Sequence, residues 1–230
     1  MNLIFIHGSG CSKNVWDQQL SFFDGSIALD LPGRSNGEVL ESVNDLAQWL
    51  IDYINDHALE NVVLVGHSLG AAVVMQAALL ADKNVKGIVL IGAGARLKVI
   101  PQLITSLSAL VDKSASIPDS FLQANENIPE PFKTNINAAI KENGAQTMLD
   151  DFNLCDKFDV MEQLENIHLP VKIIVGEKDR MTPVKYASFL HERMANSELA
   201  VIKAGTHMVF AEQAEGVNKH IQGFVERVIA

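Results

Sequence analysis

The chain has 230 residues, 48% hydrophobic and 20% charged, which supplies a core for one ordinary domain, or one with an insertion, and excludes a disordered chain. Lys and Arg number 18 against 28 Asp and Glu, a net charge of −10 with no basic run, so nucleic acid is not an expected partner. Two cysteines, Cys11 and Cys155, are too few for a disulfide framework and fit a reducing compartment. No stretch approaches the ~20 apolar residues of a membrane span. The opening Asn2-Leu3-Ile4-Phe5-Ile6 runs into His7-Gly8 with no basic leader, so the expected location is cytoplasmic.

In chain order, residues 3–6 and 27–31 are short aliphatic runs that read as strands. Residues 42–59 carry Val43, Leu46, Ala47, Leu50, Ile51 and Ile54 at helical spacing. Residues 62–65 form a third strand-like run, and the Ala-rich, apolar stretch 69–81 reads as a buried helix. A fourth run lies at 88–91. From 97 to 167 no strand-like run appears. Ile100, Leu103, Leu107, Leu110 and Val111 form a helical stripe there, followed by a looser stretch with Pro118, Pro129 and Pro131 and more amphipathic helix. Residues 171–175 and 199–202 complete the strand-like runs. Thr182-Pro183 reads as an N-cap and first helical position, opening a helix to about residue 195, and a last helix is expected at 216–229.

Most of these runs are apolar at consecutive positions, which suits strands buried on both faces. Alternation with helices then predicts an α/β fold: a doubly wound, mainly parallel sheet of about six strands. Residues 1–96 and 168–230 would form the core, and 97–167 a helical cap over the strand ends, where ligands bind in such sheets.

Gly66-His67-Ser68-Leu69-Gly70 follows one strand-like run and opens the Ala-rich helix. A serine on so sharp a strand-to-helix turn stands above the sheet at a helix N-terminus, and its neighbours leave no room for side chains. Ser68 is therefore the candidate nucleophile. A serine needs a base, and the base an orienting acid. His207 lies in a Gly-containing loop after the last strand, whereas His57, His168, His191 and His220 lie in helical patterns or before Pro170. Asp179, in Gly176-Glu177-Lys178-Asp179, is the candidate acid, with Glu177 as the alternative. An oxyanion needs two N–H donors. Leu69, the residue after the nucleophile, is expected to supply one, and Ser9 in His7-Gly8-Ser9-Gly10 the other, with Gly10 next.

With these pieces in order the chain resembles the α/β-hydrolase fold superfamily, in particular its carboxylesterase-like serine hydrolases. The resemblance rests on HGSG at 7–10, LDLPGRSNG at 29–37, GHSLG at 66–70, VGEKDRMTP at 175–183 and AGTHMVFAEQAEGVN at 204–218. It implies a Ser68-His207-Asp179 triad, an acyl-enzyme, no cofactor and no metal. It also implies that Asp30 and Gly33 mark the loop at the site entrance. Two departures stand out: the chain begins directly on the oxyanion strand, and Thr206 precedes His207 where the family often has Gly. Relatives with an aspartate nucleophile, the haloalkane dehalogenases and epoxide hydrolases, are set aside by Ser68.

The expected reaction is hydrolysis of a small carboxylic ester, with Leu103, Leu107, Leu110, Phe121 and Phe132 as apolar cap residues toward a short-to-medium acyl or aromatic group. Arg96 and Lys98 stand at the cap entrance, facing either solvent or a substrate carboxylate. A carbon–carbon bond or thioester hydrolase and a slow-turnover ligand receptor or signalling hydrolase are the other readings. Cys11 reads as a packing residue. The expected partner is a small-molecule ester, with no membrane and a monomeric or weakly dimeric state.

Overall fold

Runs that are apolar at consecutive positions can be buried only between two layers, and all six become strands of one parallel sheet. They are β1 (Asn2–Ile6), β2 (Ile27–Leu29), β3 (Val62–His67), β4 (Val85–Ile91), β5 (Val171–Gly176) and β6 (Ser197–Ile202), in the order β2-β1-β3-β4-β5-β6. The structure, a computed structural model, describes residues 2–34 and 38–229. Residues 35–37, the end of the 29–37 motif, lie outside the described residues.

Between the strands run α1 (Asp17–Leu20), α2 (Val43–Asp56), α3 (Leu69–Leu79), α4 (Pro101–Asp112), α5 (Phe132–Lys157), α6 (Val184–Arg193), α7 (Val209–Glu212) and α8 (Ala214–Ile229). Alternate strand residues point to opposite faces. Ile4, Leu64, Ile88, Leu90 and Ile173 join α2, α3 and α6 in one core cluster. Phe5, Val65, Val89, Ile91 and Ile174 join α7 and α8 in the other. The pairing Ile4–Leu64–Ile88–Val171–Ser197 keeps this alternation in register across five strands.

At the helix starts one local reading changes. Ser42 caps α2 as a serine should, its Oγ accepting the Asp45 N–H at 3.1 Å. Thr182 does not cap α6: Pro183 occupies that position, and Thr182 turns inward to Asp179. Proline at the cap separates the threonine from the helix amides it would have to accept. The chain between β4 and β5 holds α4, α5 and two 3-10 segments, with no strand among its described residues. Helix α5 breaks at Gly144, whose φ of +79° suits a residue without Cβ.

Because all strands are parallel, the loops after β1, β3, β4, β5 and β6 gather at one edge. The strand order reverses between β1 and β3, so the loops after these two strands diverge and open a crevice.

Leu50 is fully buried in the α2 face of the core. Leu50→Ala is expected to cost about 3 kcal/mol, read as a lower denaturant midpoint at unchanged slope. An unchanged midpoint would contradict this packing.

Candidate active site

The crevice is shaped by close backbone contact. A Cβ on Gly66 would stand 2.2 Å from the Gly70 carbonyl oxygen, and one on Gly70 would stand 2.2 Å from that of Ile6. Only glycine fits at either place, and the turn between them is tight enough to hold Ser68 at φ 53°, ψ −115°. Leu69 is the first residue of α3, so its N–H has no acceptor within the helix.

His207 lies in the loop after β6, and its Nδ1–H donates to Asp179 Oδ2 at 2.8 Å, with both side chains buried. Asp179 is filled by further donors. The Met181 and Thr182 N–H groups reach Oδ1 at 2.8 and 2.9 Å, and the Thr182 hydroxyl reaches Oδ2 at 2.8 Å. Burial alone would raise the Asp179 pKa, but the bonds from His207 and Thr182 outweigh it and hold the carboxyl below its ordinary value. Ser68 and His207 line the same cavity, of about 310 Å³. Glu177, the alternative acid, instead accepts the Ala204 N–H at the surface.

Two further histidines are neutral structural parts. His67, between Gly66 and Ser68, donates Nε2–H to the His207 carbonyl at 3.0 Å and packs between the His207 and Phe210 rings. Burial, with the neighbouring His207, holds its pKa well below the usual value. His7 donates Nδ1–H to the Gly8 carbonyl and accepts the Leu31 N–H on Nε2, tying the end of β1 to the loop after β2. Burial lowers its pKa to about 3. Gly92, at φ +55°, passes so close to the His207 ring that a Cβ would lie 3.2 Å from it. Thr206, the departure from Gly, has a local explanation: its N–H and hydroxyl both donate to Glu212 of α7.

The loop after β1 is held from above. The Gly10 N–H donates to Asp151 Oδ2 at 2.7 Å, which removes Gly10 as an oxyanion donor. No described hydrogen bond engages the Ser9 N–H, and Ser9 lines the cavity. Asp151, on α5, forms a buried ion pair with Arg34, whose guanidinium also donates to the Cys11 and Pro32 carbonyls. Burial pushes the Asp151 carboxyl above its ordinary value, against the pull of Arg34 and the Gly10 N–H. Asn143 Nδ2 donates to the Gly10 and Cys11 carbonyls at 3.0 and 3.1 Å. Burial raises both the Cys11 and Cys155 thiols to about 12, so neither supplies a thiolate near neutrality.

Of the apolar residues expected at the substrate, Leu103 and Phe121 line the cavity. Leu107 and Leu110 do not. Leu107 is fully buried in the core cluster that also holds Ile136 and Ile140 of α5, and Leu110 packs against that cluster, so both are spent on packing rather than on the cavity. Phe132 also packs against that cluster. The sequence reading missed Thr182, Arg34, Asp151 and the lining residues Ile140, Met148 and Phe152. Asp151 left one signal, a carboxylate three residues from the apolar Met148 and Leu154 on either side.

The alpha/beta hydrolase family model matches residues 3–220. The chain is 24% identical over 233 residues to the pimeloyl-[acyl-carrier protein] methyl ester esterase of Pseudoalteromonas atlantica, covering 93% of this chain and 90% of the relative. Among solved structures it is similar to a thermophilic esterase, with TM-score 0.86 and 31% identity over 98% of this chain and 90% of that one. It is also similar to a lipase-esterase related protein from Clostridium acetobutylicum, with TM-score 0.85 and 25% identity over 97% and 93%. The chain belongs to the alpha/beta hydrolase family. No helix among the described residues is long and apolar enough to cross a membrane.

Two outcomes follow from these buried groups. Asp151→Asn leaves Arg34 buried without a counter-ion, and is expected to cost about 3 kcal/mol. Thermal unfolding should show a midpoint lower by several degrees, and an unchanged midpoint would refute the pairing. His7 binds a proton near pH 6.5 when unfolded but only near 3 when folded, so its contribution to stability is present above 6.5 and lost as pH falls toward 3. Wild type should therefore lose stability below pH 6.5, and His7→Gln should lose it with a slope about 1.4 kcal/mol per pH unit shallower. Equal slopes would show that His7 titrates normally.

Proposed function

We propose that the chain hydrolyses small carboxylic esters through an acyl-enzyme on Ser68, with His207 as general base and acid and Asp179 as its orienting partner. The observation that carries this reading is the buried His207–Asp179 bond. With Nδ1–H committed to the carboxylate, Nε2 is left as the basic nitrogen, and Ser68 lines the same cavity.

In the first half-reaction Ser68 Oγ bonds to the ester carbonyl carbon as its proton passes to His207 Nε2. The carbonyl oxygen becomes an oxyanion that accepts from the Ser9 and Leu69 N–H groups, each donor contributing about 3 kcal/mol to the transition state. The tetrahedral intermediate collapses, the bond to the alcohol oxygen breaks, and His207 gives that oxygen its proton. Water then attacks the acyl carbon, losing a proton to His207. Collapse of the second intermediate returns that proton to Ser68 Oγ and frees the acid. The ionised Asp179 stabilises the imidazolium at both stages.

Residues 97–167 serve in this reading as a lid. Leu103, Phe121, Ile140, Met148 and Phe152 give the cavity an apolar wall, and its volume of about 310 Å³ fits a short-to-medium chain. The esterase names of the relatives support ester chemistry over carbon–carbon bond cleavage.

The test is hydrolysis of p-nitrophenyl esters from acetate to palmitate. Short and medium esters should turn over. Ser68→Ala and Asp179→Asn should each lose at least about 10³-fold in kcat, with the fold intact by circular dichroism. A Ser68→Ala protein with undiminished turnover would overturn the assignment.

A further inference from the structure

Ser68 lines two cavities. Besides the apolar one already described, it borders a second of about 230 Å³ that runs past Leu97, Ile100, Met181 and Tyr186. This corridor also holds Lys98 and Arg180. It shares Lys98 and Tyr186 with an outer hollow of about 440 Å³, whose wall adds Arg96 and Lys185. The path from the nucleophile outward therefore passes an apolar wall with Arg180 and Lys98 along it and reaches a hollow lined by Arg96, Lys98 and Lys185, four cations in all. They arrive from three places in the chain: the loop after β4, the loop after β5, and the first turn of α6.

The chain carries a net charge of −10, so its overall field disfavours an anion and such a ligand needs local opposition. Two of the four cations have loose, exposed partners: Arg96 lies 3.7 Å from Asp159, and Lys98 lies 3.5 Å from Asp156. Among the described residues no carboxylate lies within ion-pair distance of Arg180 or Lys185. Lys185 instead holds its ammonium 5.7 Å from the Tyr186 ring centre, at the hollow's wall. An excess of cations over carboxylates at the end of an apolar corridor recognises a long molecule with an anionic end.

We propose that this mouth binds the anionic end of the substrate, a carboxylate or phosphate separated by an apolar spacer from the ester that Ser68 cleaves. The ester lies at the junction of the two cavities. Its neutral side occupies the cavity beneath Leu103 and Phe121, and its charged side follows the corridor to Lys98 and Lys185. The assignment rests on the Ser68 ester reading and narrows it to a substrate class.

The experiment compares three probes: p-nitrophenyl hexanoate, the mono-p-nitrophenyl ester of adipic acid, and p-nitrophenyl 6-phosphonohexanoate. The first is neutral; the others carry a remote carboxylate and a remote phosphonate. Wild type should favour at least one anionic probe through a lower KM. Arg96→Gln/Lys98→Gln/Lys185→Gln should raise that KM about tenfold, leave kcat within twofold, and leave both constants for the hexanoate unchanged. Raising NaCl from low to high concentration should erode the preference only in wild type. Unchanged hexanoate kinetics also show that the triple variant folds. Whichever anionic probe shows the larger loss identifies the anion. If wild type has no preference for an anion, or the variant loses all three probes equally, the mouth is not a binding site, while the Ser68 reading stands on the hexanoate. If wild type hydrolyses none of the three, the ester reading fails and this assignment fails with it.

Discussion

The active edge of this molecule depends on two backbones touching where side chains would otherwise be. Gly66 meets the carbonyl of Gly70, and Gly70 meets that of Ile6, so the first turn of α3 is pressed against the end of β1. The turn forces Ser68 into a sparsely populated backbone conformation, which persists only where the surroundings over-determine it. The surroundings here are an almost wholly buried α3 and a strand apolar on both faces. The same contact fixes the end of β1. It thereby sets the distance between Ser68 and the loop that carries Ser9, so the proposed nucleophile and amide donor are placed by one packing event.

Electrostatically, the site is simplified by burial. His7 and His67 are held neutral, each with a tautomer assigned by the one carbonyl it donates to. Both thiols are held protonated. Asp179 is the opposite case, a buried carboxylate held ionised by donors from three residues. In the proposed reaction a proton taken up by His207 therefore meets a fixed negative charge and no competing base among these neighbours. This is preorganisation in the sense that matters for catalysis: the dipoles point the right way before the charge appears.

Much of this was legible in the sequence because strong local rules govern it. Consecutive apolar positions gave the parallel strands, and Gly-His-Ser-Leu-Gly between a strand and a buried helix gave the turn. The strand ends then limited where a base and an acid could stand. What the sequence concealed depends on pairing across long separations. Arg34 and Asp151 lie 117 residues apart and are ordinary charges until burial joins them. Thr182 resembled an N-cap because the rule for helix starts is local, whereas its hydroxyl is claimed by the tertiary contact with Asp179. Leu107 and Leu110 followed the same stripe as Leu103, but periodicity reports which face is apolar and not which apolar neighbour it meets. Lys185 beside Lys98 is another long-range meeting, invisible to composition in a chain of net negative charge.

One helix face links these features. Beyond the Gly144 break, Met148 lines the apolar cavity, Asp151 holds Gly10 and Arg34, and Phe152 borders both cavities that meet at Ser68. One turn further, Cys155 reaches the Ser9 hydroxyl, and Asp156 pairs with Lys98 at the mouth. Positions three, four, seven and eight apart share a face of a helix, so these contacts turn together. The glycine break gives that face a direction different from that of the first half of α5, and α5 as a whole packs with α4. A rotation of the second half would move the cavity wall, the support of the oxyanion loop and the charge at the mouth at once. In the proposed reading, substrate length, oxyanion geometry and anion recognition are therefore coupled through one helical segment, and a change of specificity made there would carry a change of rate with it.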